Sequence, residues 1–513
     1  MSPSRIVFLL LVVGLLTTIL YHTLTFGIAY DQSALYAVEE DVGQPKPDYQ
    51  PRPTNELVDH LLQAIRIRTI TFGRNELNTT ALVDLRKLLE QTFPVIHSSS
   101  LVTRELIGQY SILYHVTGSD TSRLPYLLEA HLDVVPARDE DWKTAPPFEG
   151  LVRDGYIYGR GSMDLKNVVM GVMEALEGLL KSGYKFRRSF YIAFGHDSKI
   201  GGFDGAKEIS TVLESRGVTL AFVLGEGITI SSDMIPGIDG LVALIGVAEK
   251  GYLTVELSVK TLGGHTGIPH PESSIGILAR AVNRIEDNQM PLVFGQGAEV
   301  KLLKHLATKM PLPYRIAMSN LWLFGPIIER VMTYFPDNNG AIRTTGVASL
   351  ISGGIKDNVL PTWANATISF RIHSANTINE VLDHTKTIIN DDRVKITVIE
   401  AIPPSPESSS APDSFGYQMI KLSLAETFSQ ILTGPTLSLA NLDGRHYLSL
   451  TPNVYRFSPT IQSASDMSQV QGTDERISVE NYERTVHFYY RLMLNSDKKY
   501  DVSSTPKESS GEL

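Results

Sequence analysis

Apolar residues along this chain follow two alternating rhythms. Residues 55–66 carry Leu57, Leu61, Leu62 and Ile65 at helical spacing, and residues 81–92 carry Leu82, Leu85, Leu88 and Leu89. Residues 111–116 (SILYHV), 124–130, 189–194 (SFYIAF) and 220–224 (LAFVL) are apolar runs of strand length. The strongest helical pattern is residues 164–182, with Val168, Val169, Val172, Met173, Leu176 and Leu179 on one side. Strands alternating with helices predict an α/β domain with a mostly parallel sheet.

The rhythm changes after residue 248. Residues 251–259 (GYLTVELSV) alternate as a half-buried strand does, 273–285 read as an amphipathic helix, and 288–339 are irregular with helical pieces. Residues 345–351 and 363–372 read as strands, 377–390 as a helix and 394–402 as a strand. The order β-α-β-β-α-β predicts a small ferredoxin-like sandwich inserted into the first domain. The chain thus divides into an α/β part over 55–247, the insert over 248–402, a second α/β part over 403–495 closed by a helix at 480–494, and a polar tail over 496–513 expected to be disordered.

The N-terminus changes the picture. Residues 6–20 (IVFLLLVVGLLTTIL) are almost wholly apolar and follow Arg5, which predicts a signal anchor or signal peptide over 1–29. Gly27 and Ala29 form a small-x-small pair suited to cleavage, while the apolar length suits a span. The body is expected to be lumenal or extracellular behind a single N-terminal span, or secreted. Residues 30–54 are polar and Pro-rich, a linker or wrapping arm. The sequons at Asn78 and Asn365 are candidate glycosylation sites in such a compartment.

Composition excludes several chemistries. The chain of 513 residues has no Cys, so disulfides, thiol catalysis and thiolate-bound metals are excluded. A net charge of -10 without a basic block gives no footprint for nucleic acid. There is no G-x-S-x-G elbow, no phosphate-binding G-x-x-x-x-G-K-[ST] loop and no H-E-x-x-H helix. What remains is His131-Leu132-Asp133 at the end of an apolar run, and Asp164 in a GRGSMDLK stretch that opens a helix. These positions are where an open α/β sheet places ligands.

The spacing of HLDVVP (131–136), W-x-x-x-P-P-F (142–148) and D-G-x-x-x-G-R-G-x-x-D-x-K (154–166) resembles the aminoacylase and carboxypeptidase S family of di-zinc exopeptidases and amidohydrolases. The likeness continues through GHD (195–197), GGHTGIPHPESSIG (263–276), GGIKDNVLP (353–361), FRIH (370–373), RHY (445–447) and YRFSP (455–459), and covers residues 51–494. It implies a zinc-exopeptidase catalytic domain, of the phosphorylase/hydrolase-like class, with an inserted lid or dimerisation domain. Carried over by position, it implies His131 as first metal ligand, Asp133 as the residue orienting it, and Asp164 as the carboxylate bridging two metals. It further implies substrate contacts from His265, Asn358 and Arg371.

The remaining positions depart from that pattern. Ser198 stands where the family has its general-base Glu, and Lys199 where a Glu ligates a metal. Gly225 replaces a ligand Asp, and Gln471 replaces the last ligand His. A charged Lys has no lone pair to donate, and an amide is a poor zinc ligand beside imidazole. A whole structural zinc site is worth roughly 10–16 kcal/mol, so each lost ligand costs about 3. The expectation is a homologue whose zinc is weak, single or absent and whose hydrolysis is impaired. It would keep a role in binding peptides or N-acyl amino acids, or in pairing through the lid with itself or with an active paralogue. The alternative is an active amide hydrolase with a rearranged centre, in which Glu226 or Asp197 substitutes as a ligand and one metal suffices.

Overall fold

The computed structural model describes residues 2–29, 49, 51–74 and 76–497. Most of the 30–54 linker, and the tail beyond 497, lie outside the described residues. Pro3–Ala29 forms one helix, long and apolar enough to cross a bilayer.

The body is built on an eight-stranded mixed sheet. Its order is Leu432–Ser438, Leu241–Glu249, Val454–Gln462, Val223–Ser232, Tyr126–His131, Phe190–Gly195, Ser111–Val116 and Val102–Ile107. The pairings from Val454–Gln462 through Val223–Ser232 and Tyr126–His131 to Phe190–Gly195 are parallel. Every residue of Tyr126–His131 is buried, as a parallel strand covered on both faces requires. Helix Lys166–Lys181 packs against the closing helix Val479–Ser496, and both feed the main core through Val169, Met173, Leu176, Val486 and Phe488. Four strands of this sheet, at 102–107, 241–249, 432–438 and 454–462, are not anticipated by the sequence pattern. The helix Val479–Ser496 also runs to the start of the expected tail, and Asp497 is buried, accepting from the backbone N–H of Arg187 and Arg188 at 2.8 and 2.7 Å.

The chain leaves the main sheet at Glu249 and enters a second sheet at Gly251. It returns beside the same point, where Ser405 N–H donates to Glu249 O at 3.0 Å. The second sheet has the order Thr345–Gly353, Trp363–Ile372, Gly251–Lys260 and Val394–Ile402, all antiparallel. Helices Ser274–Asp287 and Ile378–Ile389 cover one face, burying Leu253, Val255, Leu257 and Val259 against Ile277, Leu278 and Ile285. Ile378–Ile389 opens on a Thr377/Glu380 capping box and stops at Asn390, whose φ is 43°. The irregular stretch of the sequence reading resolves into four helices, Ala298–Ala307, Leu312–Ser319, Leu321–Met332 and Pro336–Ala341.

The two sequons differ. Asn78 is exposed and caps helix Thr79–Thr92 through Ala81 N–H. Asn365 is half-buried in an inner strand with its amide donating to Glu256 at 3.3 Å.

Candidate metal centre

Parallel pairing brings the candidate residues to one edge of the body sheet. His131 ends its strand opposite Gly195, and residues 223–225 run alongside the same strand. Asp164 sits in the turn before Lys166–Lys181, joined to Leu165 by a cis peptide. The turn is held by Glu475, whose Oε1 accepts from Gly161, Met163 and Asp164 N–H at 2.9, 2.9 and 3.2 Å and whose Oε2 accepts from Arg160 at 2.5 Å. Lys166 is buried in the same turn, donating to Ala64 O at 2.8 Å, and burial pulls its ammonium down to about 7.

His131 Nδ1 contacts Asp133 at the main-chain oxygen, 2.9 Å, with the carboxylate at 3.5 Å. The Asp133 carboxylate itself accepts from Ser198 and Lys199 N–H at 3.1 and 3.0 Å. Asp133 therefore fixes the 198–199 turn as much as it orients the ring. On the other side of the ring, Nε2 lies 3.1 Å from Asp164 Oδ1 and 3.5 Å from Glu226 Oε2.

Asp164 is surrounded. Lys199 Nζ donates to Oδ1 at 2.9 Å and to Oδ2 at 2.8 Å, and Gln471 Nε2 donates to Oδ2 at 2.6 Å. Burial raises its pKa, but the Lys199 charge and the His131 hydrogen bond outweigh burial and hold it well below the usual carboxylate range. Burial and Lys199 lower the His131 pKa, yet Glu226, Asp133 and Asp164 together keep it well above its usual value. Lys199 is likewise held up, against burial, by Asp164, Glu226 and Asp133. The cluster is a compensated ionic network in which each charge has a partner.

The two-metal arrangement does not fit these residues. Gly225 offers no side chain, Lys199 places a cation on the bridging carboxylate, and Gln471 offers an amide. A one-metal subset converges, with the Lys199 ammonium lying on both oxygens of Asp164. The ligand atoms of His131, Asp164 and Glu226 all lie within 4.8 Å of one another, and three N/O ligands with an open position are the usual set for a catalytic zinc. The other substitute, Asp197, is not part of this group. Its carboxylate accepts from Asp204 N–H at 2.8 Å and holds its own loop.

One residue escaped the sequence reading. A Cβ built on Gly225 would fall 2.3 Å from Glu129 Oε2. Glu129 lies on the adjacent strand, fully buried, and accepts from Glu226 N–H at 3.1 Å. The space a side chain at 225 would need is thus taken by a carboxyl from position 129. Burial, with Asp443 and Glu226 nearby, raises its pKa well above the usual carboxylate range. Asp443 is also buried close by and is pushed up to about 7. The one available signal was a Glu inside an otherwise apolar strand.

The remaining candidates lie apart. His265 and Asn358 sit exposed on the two-stranded ribbon formed by Gly264–His265 and Val359–Leu360 and the turn before it. Arg371 reaches from the second sheet to Asn441 of the body and lies 4.7 Å from the Tyr252 ring centroid. His196 is structural, 2.6 Å from Ser111 Oγ.

Comparison with known proteins places this geometry in context. The pattern that describes peptidase family M20/M25/M40 matches residues 127–495. The chain is 44% identical over 478 residues to N-fatty-acyl-amino acid synthase/hydrolase PM20D1.1 of Danio rerio, covering 92% of this chain and 93% of that protein. It is 39% identical over 450 residues to probable carboxypeptidase S-like 2 of Dictyostelium discoideum, covering 86% and 85%. Its fold is similar to that of the M20 family metallo-carboxypeptidase Sso-CP2 from Sulfolobus solfataricus, with a TM-score of 0.62, 16% identity and coverage of 86% and 99%.

Proposed function

The chain belongs to peptidase family M20/M25/M40, and from that membership we propose that it hydrolyses amide bonds of N-acyl amino acids or C-terminal peptide bonds with one divalent metal instead of two. The observation that carries this reading is the convergence of Glu226 on His131 and Asp164. The names of the relatives, N-fatty-acyl-amino acid synthase/hydrolase and carboxypeptidase S-like, support the substrate class. Zinc is the metal expected from a His/carboxylate set of this size.

A metal held there would supply Lewis-acid polarisation of the scissile carbonyl and a water of lowered pKa. The chain supplies the rest. Asp133 holds the His131 ring, and Glu475 holds the turn that carries Asp164. Ser198 cannot accept a proton near neutral pH. Glu226, with its side chain 14% exposed and one oxygen turned to His131, is the carboxylate placed to do so. Arg371 suits a substrate carboxylate. His265 and Asn358, exposed on their ribbon, act on a bound substrate once the lid approaches the centre or a second copy presents its own ribbon.

A specific observation favours a second reading. Lys199 already occupies both oxygens of Asp164, so the ammonium would stand in for the metal and the pocket would bind without hydrolysis. Metal analysis of the purified chain together with cleavage of an N-acyl amino acid separates the two. About one zinc per chain and chelator-sensitive cleavage support the first; no zinc and no cleavage, with ligand binding kept, support the second. Under the first reading Glu226→Gln removes one of the three ligands, so the zinc is released and cleavage falls to the level of the chelator-treated protein, without changing the fold measured by circular dichroism.

Zinc uptake must also displace a proton from His131, because its folded pKa lies above the usual imidazole value. Affinity is therefore expected to tighten about tenfold per pH unit as pH rises toward that folded value, and calorimetry in buffers of different ionisation enthalpy should show about one proton released per zinc. A pH-independent affinity with no proton release would exclude His131 as a ligand.

A further inference from the structure

The N-terminal helix does not stand free. Thr23 is buried, and its Oγ1 lies 3.2 Å from both Ser319 Oγ and Asn320 Nδ2. Asn320 Nδ2 also reaches Ile19 O at 3.4 Å, and the His22 and Trp322 rings are 6.4 Å apart. Asn320 is itself fully buried. The contact joins the last third of Pro3–Ala29 to the junction of helices Leu312–Ser319 and Leu321–Met332. Those two helices, with the turn after them, expose Leu312, Tyr314, Trp322, Ile327, Tyr334 and Phe335. Isolated exposed apolar residues need no explanation, but a group of this size on one short helical pair does.

Length fixes the level of this group. At 1.5 Å per residue the stretch Pro3–Phe26 is about 36 Å long, against about 30 Å of bilayer hydrocarbon. Ile19 and Thr23 stand about 24 and 30 Å from the start of the helix, at the far edge of that hydrocarbon. Tyr and Trp are favoured at this depth, with an apolar ring inside and a polar tip in the head-group layer.

We propose that Leu312–Ser319 and Leu321–Met332 form a second membrane contact, seated in the outer interfacial layer of a phospholipid bilayer beside the spanning Pro3–Ala29 helix. The anchor is then a bundle and not a tether. The body is held at a fixed height and tilt, with the lid insert against the lipid surface.

The test uses the full chain reconstituted into phosphatidylcholine vesicles containing some phosphatidylserine. Trp322 is the reporter: Trp142 is buried, and Trp363, which is exposed elsewhere on the lid, is removed as Trp363→Phe. Lipids brominated near the head group are expected to quench the emission about twofold or more, and lipids brominated at the chain ends to quench it less. Trp322→Phe should remove the quenchable component. Equal emission in brominated and plain vesicles overturns the proposal. So does a Trp322 signal that changes only when the chain self-associates and is insensitive to bromine, because the face would then be an interface between copies.

Discussion

Lys199→Met is expected to destabilise the zinc-free protein by about 3 kcal/mol, measured by chemical denaturation in chelator at neutral pH. Breaking a buried ion pair by removing one partner costs about 3–5 kcal/mol, because the remaining charge loses its compensation. The lower end applies because Asp164 keeps His131 at 3.1 Å and Gln471 at 2.6 Å. The pH dependence has a definite sign. Asp164 is held below the usual carboxylate range in the folded state. Its contribution is present above the unfolded value and is lost as pH falls through the folded one. The gap between wild type and variant should therefore close in acid, below about pH 4. Zinc should stabilise the variant more than the wild type. A unit cation about 4 Å from a divalent ion opposes it by roughly 8 kcal/mol at an effective dielectric near 20. Retaining even a third of that means the variant gains at least about a hundredfold in zinc affinity. Unchanged stability together with unchanged affinity would show that the ammonium neither holds the site together nor competes with metal.

The second large effect is on activity. Ser198→Glu, Lys199→Glu, Gly225→Asp and Gln471→His together restore the two-metal ligand set by position, but the structure predicts that this fourfold variant fails. The Asp side chain at 225 would start 2.3 Å from Glu129 Oε2, forcing two carboxyls into one buried space. Adding Glu129→Ala clears it. The fivefold variant is expected to bind two zinc per chain and to raise kcat on an N-acyl amino acid by about 10²–10⁴-fold, the range that a positioned general base contributes. The fourfold variant should be recovered in lower yield and with less metal. If the fivefold protein folds and remains without metal, the positions assigned to the ligands are wrong.

How much of this the sequence disclosed depends on which contacts are local. His131, Asp133 and Asp164 lie within one short stretch, and the helix after Asp164 has an unbroken 3.6-residue period, so both were legible. The insert was legible because Gly251–Lys260 and Trp363–Ile372 are covered on one face and alternate cleanly. Three of the four strands not anticipated in the main sheet have other chemistry. Leu241–Glu249 is nearly all buried and shows no alternation. Leu432–Ser438 contains Gly434 and Pro435, which an edge strand tolerates. Val454–Gln462 carries Arg456 into the core, paired to Glu249 at 2.5 Å, which hides its apolar character. Glu226 is legible as a substitute ligand because it follows Gly225 directly in the chain. Glu129 is not, because its meeting with Gly225 depends on the parallel pairing of two strands almost a hundred residues apart, and no spacing in the chain encodes that.

The packing of Glu129 against Gly225 also couples substitutions at the two positions. The two positions are epistatic: a carboxyl at 225 is excluded while Glu129 stands, and shortening Glu129 alone leaves a void and an unpaired Glu226 N–H. Each one-step change passes through a less stable protein, although the two together are compatible. The present pair is closed to a single-step gain of an acidic residue at 225. In a laboratory selection for amide hydrolysis starting from this chain, substitutions at 129 are expected to be fixed before any acidic residue appears at 225.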